Sequence, residues 1–182
     1  MTSHARQVVL ALALVLLAQP ARGQGTPPDP VSTAVRADAE RLSRDLVAAA
    51  DDMPAAKYGF KPTPPQMSVA EVVLHLGGDN AFGCAAIGAT KAPEEPKLTP
   101  GDSPPKLIAR LKRSFAFCNS VLAKVHDATL GEKVPGFDSG QVTRAAMMLE
   151  MHEDWADHYS QLANYLRLSG ILPPTARGQK QP

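Results

Sequence analysis

Apolar residues recur along this chain at the three- and four-residue spacing of amphipathic helices. Two proline-rich stretches, 54–67 and 92–105, interrupt that spacing, and because proline disrupts helix interiors they separate distinct helices. The pattern predicts four helices, at about 31–51, 68–87, 103–125 and 140–169. No repeat or hairpin signature is visible, although residues 130–134 allow a short extended piece. Four helices with short or proline-stiffened links predict an all-α fold, a four-helix bundle.

Residues at the helix ends agree with this division. Ser68 and Glu71 have the spacing of a capping box, in which each side chain satisfies a free amide group at the helix start. Ser103 precedes two prolines, which the first turn of a helix tolerates. Gly170 suits the left-handed conformation that ends many helices, so it should terminate the fourth helix.

The fourth predicted helix is apolar around more than half of its circumference, so other elements must surround it. Trp155 and Tyr159 lie in the middle of this apolar arc, and we expect them in the core or in an interface rather than on a ligand platform. The other members of the arc are Ala145, Met147, Met148, Leu149, Met151, Ala156, Leu162, Ala163 and Leu166.

The first 23 residues have the order of a secretory signal. Arg6 begins a short basic region, residues 8–18 are an unbroken apolar run, and small residues follow at the spacing of a cleavage site. The run has about half the length of a membrane-spanning helix, so cleavage is favoured over retention as an anchor. We expect a cut after Gly23, with Ala21 as the alternative. The mature protein is then expected in the periplasm or outside the cell, without stable membrane insertion.

Removal of residues 1–23 leaves 159 of the 182 residues, which suffices for one domain with a substantial core. We place this domain at 31–174 and a flexible tail at 175–182. The mature chain carries 17 basic and 18 acidic residues. This balance gives no indication of nucleic-acid binding.

Cys84 and Cys118 are the two cysteines of the chain. Export would place them in an oxidising compartment, which favours a disulfide between the second and third helices over two free thiols. The alternative is a pair of small buried apolar side chains. A catalytic cysteine is disfavoured because no base lies near Cys84 in sequence and Cys118 lies on an apolar stripe.

Candidate chemistry is concentrated on the second and fourth helices. Asp154 and His158 are four residues apart and therefore adjacent on one helix face. His75 shares a stripe with Val72 and Phe82 that we expect to face the bundle interior. Two imidazoles and one carboxylate suit Zn²⁺, Ni²⁺ or Fe²⁺ with open coordination positions. By spacing alone, Asp154 and His158 also fit an ordinary surface ion pair, and His75 fits a hydrogen-bonded interior histidine.

Several segments together resemble the DinB-like family, over nearly the whole mature domain. They are Met53-Pro54, Tyr58-Gly59-Phe60-Lys61-Pro62, Ser68 to His75, His158 to Leu162 and Tyr165 to Pro174. The resemblance implies a four-helix bundle of DinB-like type, commonly a dimer, so it allows a homodimer here. Many members hold a divalent metal with three histidines, one on helix 2 and two spaced by four on the last helix. Characterised relatives include metal-dependent thiol S-transferases.

The family pattern carries over to His75 and His158, whereas Asp154 stands at the position of the middle histidine. Aspartate can still bind a divalent metal through oxygen. His152 lies about 120° around the helix from His158 and does not restore the pattern. Asp79, one turn beyond His75, is a candidate to fix the second nitrogen of that histidine.

Two functions follow from this reading. The first is an exported, metal-dependent transferase or hydrolase that acts on a small molecule of unknown identity. The second is a non-catalytic binding or structural module in which His75, Asp154 and His158 form a polar network. Metal content distinguishes the two.

Overall fold

Four helices form the molecule, which the computed structural model describes for residues 28–177. The predicted signal, residues 1–23, lies outside these described residues. The helices are α1 (Pro30–Asp52), α2 (Val69–Gly88), α3 (Pro104–Leu122) and α4 (Arg144–Leu168). Short 3-10 helices occur at Ala55–Lys57, Asp127–Thr129 and Pro174–Ala176. The predicted four-helix, all-α bundle is confirmed.

The start of α2 follows the predicted capping box. The Ser68 hydroxyl accepts a hydrogen bond from the Glu71 amide at 3.3 Å, and the Glu71 carboxylate accepts one from the Ser68 amide at 2.6 Å. The start of α4 lies four residues later than predicted. Thr143 caps that helix through a 3.1 Å hydrogen bond from the Ala146 amide, because the preceding residues belong to a strand.

That strand belongs to a small antiparallel hairpin. The sequence allowed a short extended piece at 130–134 but showed no hairpin signature. Strand β1 (Lys133–Pro135) pairs with β2 (Gln141–Thr143), and Val134 lies opposite Val142. Each strand has three residues, too few for a recognisable alternation, and in β1 only Val134 is buried. The hairpin contacts both α2 and α4. It therefore covers part of the line along which these two helices meet, near the start of α4.

The core lies between the four helices, with α2 packed against α3 and α4, and α1 against α4 and α3. Its largest fully buried side chains include Trp155, Tyr165, Leu76, Leu111 and Leu162. Two assignments to the interior were wrong. Leu149 is 62% exposed and Phe82 is 43% exposed, because Leu149 lies at the edge of the apolar arc of α4 and Phe82 lies on the side of α2 that faces away from the bundle.

Residues 171–177, which follow α4, return to the bundle. Tyr159 on α4 is partly buried, and its hydroxyl donates a 2.8 Å hydrogen bond to the Thr175 hydroxyl. Arg177 pairs with Asp52 at the end of α1. None of the helices within residues 28–177 combines the length and the apolar composition needed to cross a bilayer.

The two cysteines form a disulfide between α2 and α3, as predicted. Cys84 and Cys118 have their Cα atoms 5.2 Å apart and are 34 positions apart in the chain. Both side chains are fully buried. The bond therefore fixes the side of α2 that faces α3.

We expect the double substitution Cys84→Ala and Cys118→Ala to lower the free energy of unfolding by about 3 to 4 kcal/mol, because closing a loop of this length restricts the unfolded chain. Denaturant unfolding of both proteins measures the difference. Thiol titration of the unfolded, unreduced wild type should find no free thiol. Two reactive thiols would contradict the disulfide.

Trp155 is 1% exposed, its indole N–H donates a 2.7 Å hydrogen bond to the Asn80 side-chain oxygen, and its ring lies 5.7 Å from that of Phe115. Trp155→Ala should therefore cost about 3 to 5 kcal/mol of stability. Thermal or denaturant unfolding measures this loss. A loss below about 1 kcal/mol would contradict the burial of this side chain.

Candidate metal centre

Helices α2 and α4 run in opposite directions, and a series of contacts fixes their alignment. Asn80 accepts the hydrogen bond from Trp155, and its amide donates a 2.9 Å hydrogen bond to Ser114 on α3. At the far end of the same pair of helices, Arg144 donates to the Ile87 carbonyl. These contacts bring the start of α2 beside the middle of α4.

The three predicted site residues meet in this region. His75 Nε2 lies 3.4 Å from Asp154 Oδ1, and His158 Nε2 lies 3.2 Å from the same oxygen. The two imidazole rings are 4.7 Å apart and nearly perpendicular. One potential ligand atom from each residue lies within 4.8 Å of the other two. Ligand atoms around one Zn²⁺ are separated by roughly 3 to 4 Å, so this spacing is compatible with a divalent ion.

The second oxygen of Asp154 provides an independent test of that fit. Asp154 Oδ2 is buried and has no hydrogen-bond partner among the described residues. An unsatisfied buried carboxylate oxygen costs several kcal/mol of desolvation unless a cation or donor compensates it. The donor set therefore fits a bound cation.

A chain of hydrogen bonds orients His158. Its Nδ1 lies 3.0 Å from Gln161 Oε1, and the Gln161 amide nitrogen donates to the Tyr165 hydroxyl at 2.7 Å. Tyr165 in turn donates to the Met67 carbonyl at 2.8 Å. Because Tyr165 uses its proton on Met67, it must accept from Gln161, which leaves the amide oxygen toward His158. Nδ1 therefore carries a proton whether the ring is neutral or charged, and Nε2 is the nitrogen that faces Asp154.

Gln161 and Tyr165 were missed as site residues in the sequence analysis. They follow His158 at intervals of three and seven, so helical spacing alone puts them on its face. The sequence does not reveal where the loop before α2 lies. The Met67 carbonyl of that loop ends the series of hydrogen bonds.

Asp79 does not occupy the place expected for it. Its Oδ2 lies 3.2 Å from His75 Nε2, the nitrogen that also faces Asp154, rather than near Nδ1. The carboxylate thus belongs to the same side of the imidazole as the cluster. Burial raises the pKa of Asp79 and the charge of Asp154 adds to this, although His75 and His158 act in the opposite direction.

The electrostatic balance at His158 favours a positive charge. Burial alone would lower the pKa of this imidazole, but hydrogen bonds to Asp154 and Gln161 outweigh burial and raise the pKa above its ordinary value. The groups around the ring therefore stabilise a positive charge next to Asp154. That charge can come from a proton on Nε2 or from a metal ion.

The other nearby histidine lies outside the cluster. His152 Nδ1 pairs with Asp38 on α1 at 2.7 Å, in agreement with its position around the helix. Access to the cluster comes from two sides. The His75 side chain is 36% exposed, and an open, shallow cleft of about 640 Å³, formed by residues of α4, reaches Asp154 and also includes Asp157 and Ser160.

These features define a helical bundle with a three-residue candidate metal centre between two antiparallel helices. The chain belongs to the DinB superfamily, whose family model matches residues 38–162. No curated protein shows a significant match to the chain.

Solved structures show the same fold at low sequence identity. A DinB-like protein from Bacillus cereus aligns with a TM-score of 0.64 and 11% identity, over 78% of this chain and 95% of its own. A DinB-like protein from Bacillus subtilis aligns with a TM-score of 0.61 and 19% identity, over 75% and 92%. A conserved protein from Enterococcus faecalis aligns with a TM-score of 0.59 and 17% identity, over 76% and 96%.

Close approach of α2 and α4 depends on Gly83. A Cβ atom at this position would lie 2.1 Å from the Met151 sulfur. Gly83→Ala should therefore lower the free energy of unfolding by about 1 to 3 kcal/mol through overpacking. In a Met151→Ala background the same substitution should cost much less, because the clashing atoms are gone. Denaturant unfolding of the four proteins measures this coupling.

Gly78→Ala is the matched control, since a Cβ there meets no atom within 4 Å. This substitution should stabilise α2 by up to about 1 kcal/mol through helix propensity. Equal effects of Gly83→Ala in both backgrounds would contradict the proposed contact.

Proposed function

We propose that this chain is an exported member of the DinB superfamily that binds one divalent metal ion through His75, Asp154 and His158. The ion, Zn²⁺, Ni²⁺ or Fe²⁺, would retain open positions for a small molecule. A metal-dependent transfer or hydrolysis reaction is the activity that this arrangement supports best.

The observation that carries the proposal is the carboxylate of Asp154, whose Oδ1 lies within 3.4 Å of two imidazole nitrogens and whose Oδ2 is buried without a hydrogen-bond partner among the described residues. A polar network without a cation leaves this oxygen uncompensated, whereas an ion ligand uses it. The hydrogen bonds that hold the proton of His158 on Nδ1 add to the argument, because a ligand histidine must present an unprotonated nitrogen.

Each residue has a distinct role in the proposed chemistry. A divalent ion at this position would polarise a bound group or lower the pKa of a bound water or thiol. Gln161 would keep the His158 ring in its orientation, and Asp154 would supply the negative charge. Asp79 Oδ2, near His75 Nε2, is placed to accept a proton or a hydrogen bond from a group at the exposed side of the cluster.

The alternative function is a non-catalytic module. The short distances from Asp154 to both histidines also fit a network in which protonated imidazoles neutralise the carboxylate. This network would align α2 and α4 without a metal, and the cleft would bind ligands without turnover.

Export through residues 1–23 and a homodimeric state are further parts of our proposal. The signal-like order of the N-terminal residues supports export, and the family resemblance supports the homodimer.

Metal analysis distinguishes the two functions. Protein purified without chelators or an affinity tag should contain about one equivalent of a divalent metal by elemental analysis. His75→Ala and His158→Ala should each lower the affinity for Zn²⁺ or Ni²⁺ by at least tenfold in competition titrations, because each removes one ligand. Asp154→His should raise the affinity, since it supplies the nitrogen ligand usual in the family.

His152→Ala is the matched control, because this histidine lies on the same helix but pairs with Asp38. It should leave metal affinity unchanged. Substoichiometric metal in the wild type, with no further decrease in His75→Ala and His158→Ala, would support the non-catalytic module instead.

A further inference from the structure

Helix α2 is apolar on the side that faces away from the bundle as well as on its buried side. The buried side carries Val72, Leu76 and Ile87. The outer side carries Phe82, which is exposed, and the half-buried Ala81 and Ala85. A helix that is apolar on both sides is normally covered on both, so something should contact this outer side.

A groove of about 630 Å³ runs along this outer side, between α2 and strand β1. Gly78, Ala81, Phe82 and Ala85 line it from α2, and Val134 and Pro135 line it from β1. Its volume falls within the range of roughly 300 to 1,000 Å³ that small-molecule sites occupy. The groove exists because the α2 positions are mostly glycine or alanine, whose side chains leave the space free.

One end of the groove adjoins the candidate metal centre. Gly78 directly precedes Asp79 and lies three residues beyond His75, and residues three apart are neighbours on a helix surface. A Cβ atom at Gly78 would meet nothing within 4 Å, so the space beside it is open. His75 and Asp79 do not line the groove themselves, but both side chains are partly exposed and are the helix-surface neighbours of Gly78 at its near end.

Aromatic side chains border the groove near the hairpin. Phe82 lies against Phe137 from the loop between the strands, with ring centroids 5.1 Å apart. One charged side chain, Lys133, is among the lining residues. An apolar wall beside a polar cluster favours a ligand with one apolar part and one polar end.

A second copy of this chain is a poorer occupant. The large, exposed apolar side chains beside the groove are Phe82 and Phe137, of which only 43% and 39% remains exposed and available for burial. A stable interface needs about 800 Å² from each partner. A concave site of this size accommodates a small molecule better.

We propose that the groove between α2 and β1 binds the apolar chain or ring of a small molecule whose polar end reaches the metal centre formed by His75, Asp154 and His158. The inference rests on the proposed function, because the polar end is a metal-binding group. It narrows the substrate class to small amphiphiles with an alkyl or aryl part and a polar, metal-binding end.

The groove itself is tested on metal-free protein with the fluorescent apolar dye N-phenyl-1-naphthylamine. Wild type should bind the dye with enhanced fluorescence, and Ala85→Phe, which fills the groove, should abolish that enhancement. Ala37→Phe adds the same ring at an exposed position of α1 and should leave binding unchanged. No binding to the wild type, or equal binding by Ala85→Phe, would overturn the proposal whether or not a metal binds.

The connection to the metal centre is tested on Zn²⁺-loaded protein with acetohydroxamate and octanohydroxamate, which share one metal-binding head. Each added methylene should tighten binding by roughly three- to fourfold if it is buried in the groove. Octanohydroxamate should therefore bind at least about 100-fold more tightly. Gly78→Leu, whose Cβ would meet no atom within 4 Å, should block the near end, remove this gain and keep Zn²⁺ affinity.

Equal affinity for the two hydroxamates in the wild type would overturn the proposal while leaving the metal site intact. A wild type that does not bind Zn²⁺ would instead contradict the proposed function. The dye titration would still report on the groove in that case. The two failures are therefore distinguishable.

Discussion

The alignment of α2 against α4 is the constraint on which the candidate site depends. The hydrogen bond from Trp155 to Asn80 joins the two helices one residue away from Asp154 and from Asp79. It is fully buried, and a slip of one turn would move His75 about 5 Å along the axis and out of reach of Asp154. Gly83 permits the short distance between the helix axes, and the disulfide holds the opposite side of α2 against α3. Direction, distance and rotation of α2 are thus fixed by groups that take no part in the proposed chemistry.

The fold could be predicted from the sequence because its signals are local. Caps at Ser68 and Gly170, proline-rich interruptions and long apolar arcs specify four helices without knowledge of their partners. The hairpin was missed for the opposite reason, since three-residue strands are stabilised by their neighbours α2 and α4 rather than by their own pattern. A similar limit explains why Phe82 and Leu149 are exposed. Helical periodicity gives the direction of each side chain, but not how far around the helix its neighbours cover it.

The candidate site was only partly predictable. His75, Asp154 and His158 were identified from spacing and from the family resemblance, and they lie together in the structure. The roles of their neighbours required coordinates. Helical spacing places Asp79 one turn from His75, but the side-chain torsions decide which imidazole nitrogen its carboxylate approaches. The chain from His158 through Gln161 and Tyr165 ends in a loop nearly 100 residues earlier in the sequence, and no local pattern joins them.

The last acceptor in that chain has an evolutionary consequence. Tyr165 donates to the main-chain carbonyl of Met67 rather than to a side chain. Every amino acid supplies that carbonyl, so mutational drift at position 67 can alter packing without removing the acceptor. The last hydrogen bond of the series therefore depends on the path of the backbone and not on which amino acid occupies position 67. Selection to keep the orientation of His158 should therefore act on Gln161, Tyr165 and the conformation of the loop, while leaving the identity of residue 67 comparatively free.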